Sequence, residues 1–271
     1  LLFSVVMLLS VLGGMDRILK DIPDKRRHLY WSMVDLTLVS LLALSYTNDI
    51  FTGYVFIEIC TIASCALLSA KSTGRALIAS ARYMVFALVG SGLFLIGVIY
   101  TYSITGHLLF PQLHDTIAAL WTEGTYQFSM TVAIGLMTAG LGIKSGLFPF
   151  HFWMPDTYGR ATPASSGILS GVVSKAYILL LIKIIYRAVG IEVFAESGIQ
   201  SVLLIFGIAG MIVGSVSAIR SKRLTTMVAY SSAAQIGYIY MGLGMGTQAA
   251  LLAAFLHIFS HALTKPMLFL S

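Results

Sequence analysis

The chain has 271 residues, of which 58% are hydrophobic and only 10% charged, and its mean hydropathy is +0.89. Soluble domains carry about 25% charged residues, so this composition excludes an ordinary soluble domain and indicates an all-α protein that crosses a lipid bilayer several times. The formal charge of +6 would suggest a nucleic-acid partner in a soluble protein. Here the basic residues lie in short loops between apolar runs, where they set membrane orientation, so no nucleic acid is expected.

A membrane-spanning helix needs about 20 mostly apolar residues. Judged by length, flanking charges and turn residues, the sequence predicts nine such helices. They lie near residues 1–19, 29–46, 50–70, 75–103, 127–149, 163–187, 200–219, 224–244 and 248–271. Between the fourth and fifth, the stretch QLHDTIAALW predicts a short helix that lies at the membrane interface.

Both ends of the chain lie in apolar runs. It begins with LLFSVVMLLS, without an initiator Met, and ends with KPMLFLS, without a polar tail. A signal peptide is the alternative for the start, but no basic region precedes the apolar run and no convincing cleavage site follows it. We expect both ends to cut through helices and the chain to be a fragment of a longer protein.

Basic residues alternate along the loops between the predicted spans. The first, third, fifth and seventh loops hold eleven Lys or Arg residues, whereas the second, fourth and eighth hold none. Lys183 and Arg187 lie at the end of the sixth span. Cytoplasmic loops are enriched in Lys and Arg. The alternation therefore supports nine spans and predicts that the odd-numbered loops are cytoplasmic.

Ionisable side chains inside membrane spans are expensive and usually mark an ion path, because each costs about 2.5–3.5 kcal/mol on insertion scales. Apart from the charged ends of the first, fourth and sixth spans, the predicted spans contain eight of them: Asp35, Glu58, Arg82, Lys144, Lys175, His257, His261 and Lys265. Asp35 and Arg82 lie near helix ends, where they can serve as orientation anchors, and they are left out of the candidate site. Cys60 and Cys65 show neither metal-binding nor disulfide spacing and are interpreted as packing residues.

Glu58 and Lys144 are the candidate ion pair. Glu58 lies about 12 Å into its helix at 1.5 Å per residue, and its alternative role is a packing lock bonded to a neighbouring helix. Lys144 lies in GLGIKSGLFPFHFWMPD, whose glycines and prolines predict a helix break between Gly146 and Pro155. Non-helical backbone at membrane depth lines a protein-buried or wet cavity, as at the ion sites of broken-helix transporters. The alternative for Lys144 is a side chain that snorkels to the interface.

The remaining candidates lie on two later helices. Lys175 is too deep in its helix to snorkel, with Ser170 and Ser174 nearby, so we interpret it as a relay position, with a structural ion pair as the alternative. His257, His261 and Lys265 are spaced four residues apart and therefore share one helix face. Histidine changes charge near neutral pH, so this face predicts a titratable line. Zinc binding is the alternative, but no cysteine or carboxylate completes a ligand set, and no metal is expected.

Several of these stretches resemble one known family. NDIFTGYVFIE, GIKSGLFPFHFWMPDTYGRATPASSGILSGVVSKAYILLL, VAYSSAAQIGY and FLHIFSHALTKPMLFL are similar to the antiporter-like membrane subunits of respiratory NADH:quinone oxidoreductase, membrane-bound hydrogenases and Mrp-type sodium/proton antiporters. The central stretch is the most specific match and is most similar to the Mrp-type branch. The resemblance covers essentially the whole chain.

The resemblance implies a fold and a set of roles. The family has two inverted five-helix repeats, each with one broken helix, so residues 20–187 would form the first repeat and residues 200–271 an incomplete second one. A proton-conducting transporter domain would then occupy residues 1–271, without the family's terminal relay residue. Glu58 and Lys144 would be the coupling pair and Lys175 the central relay. The path to the next half-channel would run through three side chains, His257, His261 and Lys265.

Two departures from the family pattern affect the second half. RLTT at residues 223–226 stands where the family has DLKR, and Pro266 follows Lys265 where a small residue is common. Both weaken the prediction for this part of the path more than for Glu58 and Lys144.

The sequence therefore predicts an ion-translocating subunit of a prokaryotic plasma membrane that carries protons, with exchange for Na⁺, beside other membrane subunits. No nucleotide, flavin, quinone or iron–sulfur motif is present, so no cofactor is expected and no catalytic residue is assigned. One alternative is the proton-pumping subunit of a redox-driven hydrogenase or NADH:quinone oxidoreductase complex. A second, of another class, is a structural membrane subunit without transport.

Overall fold

The computed structural model describes all 271 residues and consists of helices joined by short connections. Thirteen α-helices follow one another along the chain: α1 (Leu2–Asp21), α2 (Asp24–Tyr46), α3 (Ile50–Ser69), α4 (Gly74–Thr105), α5 (Phe110–Thr122), α6 (Gln127–Ser145), α7 (Trp153–Tyr158), α8 (Pro163–Ile168), α9 (Ser174–Ile184), α10 (Ile191–Glu196), α11 (Ile199–Arg220), α12 (Leu224–Gly244) and α13 (Gln248–Leu270). The predicted all-helical class is confirmed. The predicted short helix between the fourth and fifth spans is observed as α5.

Eight helical segments are long and apolar enough to cross a membrane. They correspond to eight of the nine predicted spans. The predicted span at 224–244 is also a continuous helix, α12, but it is less apolar because it carries three tyrosines, two serines and a glutamine. It packs along α11 and α13, where protein covers much of this polar surface.

The helical segment from Pro163 to Val189 lies at the centre of the bundle and is more deeply buried than any other span. It contains α8 and α9 and two π-helical segments, at residues 169–173 and 185–189. Helices α1, α2, α3, α6 and α13 pack around it. Side chains from both halves of the chain therefore meet around this buried segment.

The predicted interruption after Lys144 is confirmed. Helix α6 ends at Ser145, and Gly146 adopts a left-handed conformation with φ of +85°, which costs glycine little because it has no Cβ. A 3₁₀ segment at Phe150–Phe152 follows, and the helix resumes at Trp153. The chain is thus non-helical within one turn of the lysine.

A glycine contact brings α4 and α6 together next to Lys144. A Cβ on Gly140 would lie 2.5 Å from the carbonyl oxygen of Gly90, and a Cβ on Gly90 would lie 3.1 Å from Cγ of Lys144. Small residues let helix backbones approach this closely. The α4 backbone therefore covers one side of the buried lysine side chain.

Candidate functional site

Glu58 and Lys144 form an ion pair inside the bundle. The Nζ atom of Lys144 lies 3.1 Å from Oε1 of Glu58, and the side chains of Lys144 and Glu58 are 1% and 24% exposed, respectively. The predicted approach of these two side chains is confirmed, and Lys144 does not snorkel to the interface. Taking two charges out of water is expensive unless geometry and further hydrogen bonds compensate. The pair therefore needs additional polar partners.

Two hydroxyls supply those partners. Lys144 Nζ donates to Oγ1 of Thr61 at 2.6 Å, and Ser91 Oγ donates to Oε1 of Glu58. Thr61 follows Glu58 by three residues on α3, so both face the same side of that helix. Ser91 reaches across from α4. The carboxylate oxygen that pairs with the lysine thus also accepts a hydrogen bond from the Ser91 hydroxyl.

Sequence reasoning missed Thr61 and Ser91. Hydroxyl residues are common in membrane helices, and Ser91 Oγ also lies 3.0 Å from the carbonyl oxygen of Ala87, the acceptor that a serine within a helix ordinarily uses. The three-residue spacing from Glu58 was a usable signal for Thr61. For Ser91, only the rotation of α4 relative to α3 identifies the partner.

Lys175 is fully buried on the central segment. Its Nζ donates to the carbonyl oxygen of Ser170 and, at 3.2 Å, to Oγ of Ser174. The predicted nearness of these two serines is confirmed. The π-helical segment at 169–173 disturbs the regular α-helical ladder here. Ser170 also shares a hydrogen bond of 2.9 Å with Ser232 of α12, which extends the polar cluster to the second half of the chain.

The three candidate residues of α13 lie on one face of the helix, as predicted. The rings of His257 and His261 stack with centroids 6.1 Å apart. Lys265 donates to Oγ of Ser231 at 2.8 Å and to the carbonyl oxygen of Val228 at 3.3 Å. Both ring nitrogens of His261 are buried and have no hydrogen-bond partner in the protein.

The candidate residues therefore form two clusters. Glu58 and Lys144 form the first with α3 and α4. In the second, Lys175 and Lys265 both lead to adjacent serines of α12, Lys175 through Ser170 and Lys265 directly. No hydrogen bond joins Lys144 to Lys175. The two clusters are therefore not joined by a direct hydrogen bond between their lysines, although α6 and α9 pack together.

The two residues that were left out of the site lie elsewhere. Arg82 forms an ion pair with Asp156, and Asp156 also pairs with Arg160 at 3.1 Å. This network ties the end of the interrupted segment to α4. Asp35 is exposed in the middle of α2, so the prediction that it lies near a helix end is wrong.

Comparisons with known proteins decide the family. Residues 47–271 match the family described as NADH:quinone oxidoreductase/Mrp antiporter, TM. A NADH-quinone oxidoreductase subunit N from Desulforudis audaxviator is 35% identical over 243 residues, 89% of this chain and 47% of the relative. The chain belongs to this family.

Another relative represents the antiporter branch of the NADH:quinone oxidoreductase/Mrp antiporter family. It is a Na(+)/H(+) antiporter protein of Alkalihalophilus pseudofirmus, which is 29% identical over 252 residues that cover 91% of this chain and 49% of that protein. The chain thus spans about half the length of the curated relatives that it matches.

Solved structures of large membrane complexes contain the same arrangement of helices. A chain of the membrane-bound sulfane sulfur reductase, an archaeal respiratory membrane complex, matches with a TM-score of 0.88 and 30% identity, covering 99% of this chain and 53% of that one. A chain of the Mrp complex from a Dietzia species matches with a TM-score of 0.83 and 26% identity over 99% of this chain and 49% of that one. The predicted resemblance to antiporter-like membrane subunits is confirmed.

Proposed function

We propose that this chain is an ion-translocating membrane subunit that carries protons through a buried relay, coupled to exchange of Na⁺. The observation that carries the proposal is the Glu58–Lys144 pair, held at 3.1 Å beside an interrupted helix. A buried ammonium holds its proton less tightly than one in water, and a nearby carboxylate strengthens that hold. A small movement of the carboxylate therefore changes the proton affinity of the lysine.

The relay would run from the first cluster to the second. Lys144 takes up and releases the proton under the control of Glu58, Lys175 is the central station, and His257, His261 and Lys265 continue the path into the second half. The stacked histidine rings and the buried lysines support the inclusion of these residues in the relay. Water that connects the two clusters would complete it.

The same assignment proposes the domain organisation. Residues 20–187 would be the first inverted repeat, which contains the observed interruption after Ser145, and residues 200–271 would be part of the second. The odd-numbered loops would face the cytoplasm of a prokaryotic cell, with further membrane subunits of a larger complex around the bundle. The structural matches to multi-subunit membrane complexes support this setting.

Redox-driven proton pumping is the second candidate. It is favoured by the 35% identity to a NADH-quinone oxidoreductase subunit N and by the match to the sulfane sulfur reductase complex. In that case electron transfer in other subunits would drive proton movement through the same lysine and carboxylate. A purely structural subunit is less well supported, because three buried lysines, Lys144, Lys175 and Lys265, each carry an insertion cost.

The intact complex in lipid vesicles tests these functions. We expect an imposed Na⁺ gradient to drive proton movement, measured with a pH-sensitive dye inside the vesicles. Proton movement that requires an electron donor and ignores Na⁺ would support the redox-driven candidate instead. Absence of proton movement under both conditions would contradict the proposed function and leave the structural role.

A further inference from the structure

An open groove lies between the first turns of α2 and the last turns of α3, and its volume is about 240 Å³. Helix α2 lines it with four residues that share one helix face, because they are spaced three or four residues apart. They are Arg26, Leu29, Tyr30 and Met33. Helix α3 lines it with small side chains, which include Ala66 and Ala70. These small side chains leave the space between the two helices unfilled.

The inside of the groove offers apolar surface. Leu29 is 53% exposed, and the hydroxyl groups of the lining already have partners. The Tyr30 hydroxyl pairs with that of Ser165 at 3.1 Å, and Ser69 Oγ donates to the carbonyl oxygen of Ala66 at 3.0 Å. An apolar cavity of about 150 Å³ binds a benzene molecule, so this larger groove has room for a segment of a hydrocarbon chain. A helix with its side chains is about 10–12 Å wide and does not fit inside it.

The end of the groove at the start of α2 is basic. Arg26 donates to the hydroxyl of Ser72, which places the α3–α4 connection beside it. Lys25 and Arg75 are exposed at the starts of α2 and α4. None of these three basic residues forms an ion pair. Three positive charges therefore lie near this end of the groove without a counter-charge in the protein.

The carboxylates closest in sequence do not neutralise this basic end, because each already has a partner. Asp21 pairs with Lys71 at 3.0 Å, and Asp24 pairs with Arg27. Trp31 follows on α2, and Trp is enriched where a membrane meets water. The basic end of the groove therefore lies at the level of the lipid headgroups.

We propose that this groove binds one acyl chain of an anionic phospholipid, whose phosphate lies among Lys25, Arg26 and Arg75. The apolar lining matches the hydrocarbon chain, and the three unpaired cations match the phosphate. Basic pockets between membrane-spanning helices bind anionic headgroups in this way. The proposal depends on the position of α2 and α3 in the membrane and is independent of the transport that we propose for this chain.

Photo-crosslinking of the intact complex tests the site. The probe is phosphatidylglycerol with a diazirine in one acyl chain, added to vesicles of phosphatidylcholine that contain the complex. We expect the probe to label the peptides that hold residues 26–33 and 66–70. The same diazirine on phosphatidylcholine should label these peptides at least about fivefold less, because each basic residue near the surface favours an anionic lipid by about that factor.

Two variants test the two parts of the site. Arg26→Gln removes one charge and should raise the phosphatidylglycerol content needed for half-maximal labelling about fivefold. Its matched control is Arg220→Gln, on an exposed residue at the end of α11, which should leave labelling unchanged. Ala66→Leu fills the apolar part of the groove and should also reduce labelling. Its control is Ala253→Leu on the exposed surface of α13, which should have no effect.

Four results would overturn the proposal. Equal labelling by both probes would show ordinary boundary lipid, and labelling by neither would show that another polypeptide covers the groove. Reduced labelling in Arg26→Gln with wild-type labelling in Ala66→Leu would show headgroup attraction without a groove site. Competition by inorganic phosphate as strong as that by unlabelled phosphatidylglycerol, at an ionic strength matched with sodium chloride, would show a site for a free anion. If a variant does not assemble, the comparison of the two probes on the wild-type complex decides.

Discussion

Lys144→Met is expected to reduce proton flux to background, a loss of about 100-fold or more, in complexes that still assemble. Methionine has similar length and no proton to exchange, so the relay ends at this position. Assembly should tolerate the change because removing the ammonium relieves an insertion cost of about 2.5–3.5 kcal/mol. The remaining carboxylate of Glu58 is 24% exposed and keeps the hydrogen bond from Ser91. Flux in vesicles and the yield of intact complex are the two measurements.

The control for this variant is Lys222→Met, the same chemical change on an exposed residue between α11 and α12. It should leave flux and assembly near wild type. Wild-type flux in properly assembled Lys144→Met complexes would contradict the relay. Loss of flux together with loss of assembly would instead show that the lysine is structural.

Glu58→Gln is expected to damage both stability and transport, because it leaves the ammonium of Lys144 buried without a counter-charge, beside neutral hydrogen-bond acceptors only. Breaking a buried ion pair by removing one partner costs about 3–5 kcal/mol, unless the lysine loses its proton. Either response removes the control of proton affinity, so flux should fall by about tenfold or more. Thermal unfolding of the purified complex and flux in vesicles measure the two effects.

The double variant Glu58→Gln/Lys144→Met separates the two effects. With no buried charge left, its stability should recover most of what Glu58→Gln loses, while its flux stays at background. Asp35→Asn removes an exposed carboxylate on the neighbouring helix α2 and should change neither quantity. Equal stability of wild type and Glu58→Gln would argue that the pair contributes little to holding the lysine charged.

The interaction between Glu58 and Lys144 is of the size needed to couple proton binding to the membrane potential. Moving one charge across 100 mV is worth about 2.3 kcal/mol, which corresponds to a change of about 50-fold in a proton-binding equilibrium. A movement of Glu58 relative to Lys144 that alters their interaction by this amount would couple proton binding to the membrane potential. The helix interruption at Gly146 provides backbone next to the lysine that can accommodate such a movement.

Much of the fold and the main pair could be predicted from the sequence because they rest on strong local signals. Membrane spans can be recognised in a sequence as runs of apolar residues. The glycines and prolines around Lys144 are incompatible with a regular helix. A carboxylate and a lysine at membrane depth each need a partner. This requirement predicted the pairing of Glu58 with Lys144, although they are 86 residues apart in the sequence.

The rest could not be predicted because it depends on helix rotation and packing. Ser91 reaches Glu58 only because of how α4 is rotated relative to α3. The π-helical segment at 169–173, which places Ser170 beside Lys175, has no reliable sequence signature. The separate hydrogen-bond partners of Lys144 and Lys175 are likewise visible only once α6 and α9 are placed in the bundle.

The most direct test of the central claim, that Lys144 releases and rebinds a proton, is the proton flux of Lys144→Arg in the assembled complex. Arginine keeps the positive charge and the ion pair with Glu58, but a guanidinium does not lose its proton in proteins. We expect flux at or close to background in complexes that still assemble, with some loss of stability because the larger guanidinium enters a closely packed site. Wild-type flux in this variant would show that only the charge is needed and would contradict proton transfer through Lys144.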